Sequence, residues 1–165
     1  EIGTGDWSSD VCSSDLGPMA RKRQSGKESN EKLVAIMKEW QKVEEKSIKS
    51  IGEISRKIKN PLVKQVLSII KKDSAQHAKV QQFVIDSLTK KPVTLTPEEL
   101  GAVWSAIDSH IKMERATIEL GQRAKDASRD FVHKYLINYL MTDERKHEEL
   151  LEQLENIKSK IYPYA

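Results

Sequence analysis

In the stretch MTDERKHEELL, residues 141–151, Glu144 and His147 lie three apart and share one face of a helix, with Asp143 beside them. Two further acids and a second histidine follow the same logic. Glu114 precedes His147 by 33 residues, and Glu44 precedes His77 by the same 33. Carboxylates and imidazoles at such spacing can hold a divalent cation on their lone pairs, or they can form a solvated, charged helix face. The surroundings separate the two: an acid set into an apolar stripe is costly to bury unless it is paired or coordinates a cation.

All five residues fall in apolar stripes. Leu33, Met37, Trp40, Ser47, Ile51, Ile54 and Ile58 recur at helical spacing, and the alternation puts Glu44 at the hole in their centre. Asp73 and His77 interrupt the stripe of Val66, Ile70, Val80 and Val84; Glu114 interrupts that of Val103, Ile107, Ile111, Ile118 and Ala124. Glu144 and His147 interrupt the stripe of Val132, Leu136, Leu140, Leu154 and Ile157. An offset of 70 residues lays Glu44 on Glu114, Asp73 on Asp143 and His77 on His147. Identity elsewhere is slight, so the matches concentrate where the stripes are polar. Duplication of a helical pair is the simplest account.

Four helices must position these groups. Asn60-Pro61 ends the first and opens the second, because proline starts a helix but disfavours helical geometry just before it. Thr96 with Glu99 forms a capping box, with Pro97 at the first helical position of the third. A weaker break at DASRD precedes the fourth, and Asn30 is a plausible cap for the first. Glu44 lies as far before the first turn as His77 lies after it, to within about 3 Å at roughly 1.5 Å per residue. In an antiparallel pair the two would face each other. Helix pairs that each give a Glu and a partner Glu-x-x-His make an oxygen-rich site with two imidazoles, suited to iron or manganese.

Glu44, Glu114 and Glu144-x-x-His147 on four helices resemble the ferritin-like superfamily, in particular its rubrerythrin and erythrin branch of di-iron carboxylate proteins. The resemblance covers roughly residues 30–160, and DERKH at 143–147 is similar to the D-E-x-x-H signature of that group. It implies an all-α, antiparallel four-helix bundle with a long crossover, about twelve residues from Thr89, between helices 2 and 3. It also implies metal ligands Glu44, His77, Glu114, Glu144 and His147, with Asp73 and Asp143 as outer acceptors that orient the histidines. Two irons are expected, manganese being an alternative, reacting with hydrogen peroxide or dioxygen. The first half departs from the pattern: DSAQH places Ser74 where a bridging Glu belongs. Asp73 is the available substitute; without it the site holds one metal or none, and the chain is a structural or interaction bundle. An iron-storage subunit, and hence a homo-oligomer, is a further alternative. The four-cysteine electron-transfer domain of rubrerythrins is missing, so a peroxidase of this type needs an external electron donor.

Other polar and aromatic groups have plainer readings. His110, four residues before Glu114, is better placed as its hydrogen-bond partner than as an extra ligand. His133 is expected at the surface. Trp40, Trp104, Tyr135 and Tyr139 are expected in packing rather than chemistry.

Residues 1–16 read as the translation of a sequencing-library adapter (DWSSDVCSSDL, 6–16), with Met19 as the expected natural start. The stretch holds four acids and Cys12; without it the chain has 28 basic against 21 acidic residues, a formal +7, and no cysteine. Disulfides, thiolate zinc sites and thiol nucleophiles are thereby excluded from the remainder. Residues 17–29 are polar and basic and are expected to form a disordered arm; Arg21 to Arg23 and Lys27 are too few to imply nucleic-acid binding. No apolar run approaches membrane-span length, so a soluble, cytoplasmic protein of one domain over 30–160 is expected.

Overall fold

The computed structural model describes residues 18–161. They form four helices: α1 (Pro18–Lys57), α2 (Pro61–Thr89), α3 (Pro97–Ala127) and α4 (Phe131–Ile161). The expected adapter-derived stretch and the Tyr162-Pro163 end lie outside the described residues. The all-helical class and the four elements agree with the stripes.

The breaks fall where cap chemistry puts them. Asn60 is extended, and its side chain accepts the Val63 amide at 3.2 Å, with Pro61 opening the helix behind it. At Thr96 both arms of the capping box are made: Glu99 N donates to Thr96 Oγ1 at 3.1 Å, and Thr96 N donates to Glu99 Oε2 at 2.9 Å. Asp130 takes the same role for α4, accepting the His133 amide at 2.9 Å. Asn30 does not cap α1. That helix starts at Pro18, so residues 18–29, expected as a disordered arm, are helical. The stretch contains no internal proline or β-branched residue, and Gly26 is carried within the helix against its poor propensity.

The chain divides into two compact units, one ending at Val93 and the other beginning at Thr94. The first contains α1 and α2. Glu44 faces His77, Ser47 faces Ser74, and Gln41 donates to the Ala78 carbonyl and to Gln82, so progress along α1 is matched by retreat along α2. The second unit repeats the antiparallel arrangement, with Glu114 near His147 and Arg115 on Glu148. The 70-residue offset therefore carries the register of one hairpin onto the other.

The link between the units is residues 90–96, since α2 runs to Thr89 and the Thr96 cap starts α3. This is shorter than the expected crossover and reaches about 25 Å at full extension.

Within each hairpin the buried seam is narrow. Ile51 and Ile85 fill it in the first, and Leu100, Ile111 and Met141 in the second. Much of each expected stripe stays open, including Trp40, Ile54, Ile70, Val80, Val103 and Leu140. Among the described residues no helix is long and apolar enough to cross a membrane.

Candidate metal centre

The seam of α3 and α4 brings Glu114, Glu144 and His147 together. One ligand atom from each lies within 4.8 Å of the others. His147 Nδ1 is 3.4 Å from Glu144 Oε2 and 3.7 Å from Glu114 Oε1. Those separations are long for hydrogen bonds, but donors ligating one cation at about 2.1 Å stand about 3 Å apart. Glu114 is buried at 7 % exposure, while Glu144 and His147 are half-buried, so the cluster opens to solvent on the α4 side.

The two carboxyls are electrostatically unlike. Glu114 is held below the usual carboxylate range by its hydrogen bond with Glu144; burial opposes this, and His147 and His110 add to it. Glu144 stands above that range, because of the same hydrogen bond, then burial, then the Glu114 charge, with His147 working the other way. The shifts run in opposite directions, as expected for two like charges sharing a site. A divalent cation placed between the two carboxylates would offset their repulsion.

His110 stacks one turn before Glu114, and its Nε2 is 3.0 Å from Glu114 Oε1. It is a partner of the acid and stands outside the three-residue cluster, as its spacing implied. Asp143 is less engaged than expected. Its Oδ2 is 3.9 Å from His147 Nε2, beyond hydrogen-bond range, and its other oxygen is taken by Lys146.

The α1–α2 seam holds the matching pair and no more. His77 Nδ1 lies 3.3 Å from Glu44 Oε1, across from each other as the spacing required, with Glu44 buried and His77 exposed. Ser74 is 5 % exposed, and its hydroxyl donates loosely to Ser47 at 3.3 Å. Asp73 does not take the place of the missing acid: among the described residues no ion pair joins it to His77. Two donors remain where the other hairpin has three. His133 is at the surface as expected, 3.8 Å from Asp130. Trp40 and Tyr135 are about half exposed rather than packed.

Two structural features were missed. Arg115 grips Glu148 at 2.5 Å and Glu152 at 2.6 Å, each acid one helical turn from the other. Arg115 follows Glu114 and Glu148 follows His147, so this clamp fixes the register of the ligands from the outer face. The same 33-residue spacing signalled it. The second is Gly121, where a Cβ would lie 2.5 Å from Met141 Cγ. Only glycine lets the helices approach that closely one turn from Glu144, and no sequence pattern marked the pair.

The donor set of α3–α4 fits a hard or borderline divalent metal, with two oxygens and one nitrogen and room for further ligands on the open side. No family model matches the chain, and neither does any curated protein or solved structure.

Proposed function

We propose that the chain is a metal-binding protein of ferritin-like type whose α3–α4 hairpin holds iron or manganese through Glu114, Glu144 and His147. The observation that carries this is the convergence of those three donors, within 4.8 Å, in an otherwise apolar helical seam. His110 orients the Glu114 carboxylate, and the Arg115 clamp keeps Glu114 level with His147. Bound iron would supply the reduction of hydrogen peroxide or dioxygen, with electrons from an external donor. Glu144 sits where a proton can be held close to that chemistry.

Glu44 and His77 offer a second, weaker position of two donors. The Ser47–Ser74 hydroxyl pair there favours a different role for that hairpin: a packed scaffold without metal. The test is metal content per chain after anaerobic loading with ferrous iron and desalting. One retained iron is expected, lost in Glu114→Gln and in His147→Ala, with a second gained in Ser74→Glu. No retained iron in the wild-type chain overturns the metal reading and leaves a helical scaffold.

A further inference from the structure

A separate cavity lies between α1 and α2 near their turn, on the far side of Ser74 from His77 along the helix. It is a solvent-open hollow of about 550 Å³, lined by Ile51, Gly52, Ser55 and Arg56 from α1 and by Lys64, Leu67, Ser68 and Lys71 from α2. Three cations and two hydroxyls line it, and no acid does. The wider sequence repeats the bias: residues 49–72 contain Lys49, Arg56, Lys57, Lys59, Lys64, Lys71 and Lys72 against Glu53 alone.

Lysines on a solvated helix are commonly engaged by acids one turn away, as Lys27, Lys90 and Lys112 are here. Arg56, Lys64 and Lys71 have no such partner among the described residues. Lys64, Ser68 and Lys71 follow at intervals of four and three, so they present one face of α2, with Arg56 and Ser55 across from them. Three like charges converging on one hollow repel one another, and an anion placed among them removes that repulsion. Gly52 borders the hollow: a Cβ there would meet nothing within 4 Å, and its φ is not positive, so no turn or close approach requires glycine.

We propose that this cavity is a binding site for an organic di- or triphosphate. The phosphates would lie among Arg56, Lys64 and Lys71, with the Ser55 and Ser68 hydroxyls donating to their oxygens. The volume exceeds what a diphosphate fills, and Ile51 and Leu67 supply an apolar wall for an attached organic group. A bare polyanion would use the cations and leave that wall idle. The site is independent of the metal reading, because none of its residues is a ligand there.

Calorimetric titration of the full chain with inorganic pyrophosphate and with ADP tests the assignment. Both should bind, ADP the tighter, and both should weaken as salt is raised. Gly52→Glu, whose Cβ would meet nothing within 4 Å, adds an acid to the hollow and should weaken binding by at least roughly tenfold, as should Lys64→Gln/Lys71→Gln. Gly52→Ala should bind as wild type does, and far-ultraviolet circular dichroism should show all variants equally helical. If Gly52→Glu loses helicity, the lysine pair alone decides. No binding at millimolar ligand, equal affinity in the lysine variant, or displacement of ADP by duplex DNA at matched phosphate would overturn the proposal.

Discussion

Replacing Gly121 by alanine should destabilise the α3–α4 hairpin, although alanine is the better helix former. The added Cβ would lie 2.5 Å from Met141 Cγ and 3.3 Å from its sulfur. Carbon atoms in contact sit at about 3.5–4.0 Å, so α3 and α4 must part by about 1 Å or Met141 must leave a site in which it is 4 % exposed. Overpacking of this kind costs about 1–3 kcal/mol, against an intrinsic gain of about 0.5–1 kcal/mol for removing a helical glycine. The net expectation is a loss of about 1 kcal/mol, or roughly 2–4 °C in melting temperature. Gly101, in the same helix with nothing within 4 Å of its Cβ position, is the internal control. Gly101→Ala should raise the melting temperature where Gly121→Ala lowers it. Thermal denaturation followed by circular dichroism reads both. Met141→Ala alone should cost about 2–5 kcal/mol, and less in the Gly121→Ala background, where the new methyl occupies part of the vacated space. A Gly121→Ala variant as stable as Gly101→Ala would refute the close approach, and with it the register that sets Gly121 of α3 against Met141 of α4.

Thr96→Ala removes the acceptor of the Glu99 amide and should cost about 1 kcal/mol, with amide exchange accelerated in the first turn of α3 before anywhere else in that helix. Asp130, held below the usual carboxylate range by the His133 amide, gives a pH signature. Because its folded pKa is depressed, its contribution is present above the unfolded pKa and is lost as pH falls through the folded one. The stability difference between wild type and Asp130→Ala should therefore shrink on acidification below about pH 4; a difference that grows there would show that Asp130 does not cap α4 through its ionised form.

The repeat at 70 residues was legible because it lies in the ligand positions, and its register follows from the spacing: the interval that set Glu44 opposite His77 also set Glu114 opposite His147. What each half can do was legible only partly, since two substitutions break the symmetry. Ser74 stands where the second hairpin has Glu144, and Trp40 where it has His110, the partner of Glu114. The first was visible in the sequence as a missing carboxylate; its consequence, a serine pair across the seam with Asp73 standing apart, depends on rotation about α2 finer than a heptad count resolves. The long first helix escaped for another reason. Residues 18–29 have no apolar period, and periodicity is the signal by which helices are read, whereas continuation from an already formed helix avoids the cost of nucleation. The extent of burial was the least legible, because a stripe shows which face is apolar and not how many neighbours cover it. Trp40, Val80 and Leu140 belong to the expected faces and remain exposed. The complete three-donor cluster falls in the hairpin that has both Glu144 and His110, and the cations without an ion-pair partner among the described residues fall in the one that has Ser74 and Trp40. The two halves differ in the sign of their charge: residues 94–165 carry more acidic than basic groups, whereas residues 26–93 carry nearly twice as many basic as acidic ones. A metal cation and a phosphate anion would therefore each meet the half whose field favours it.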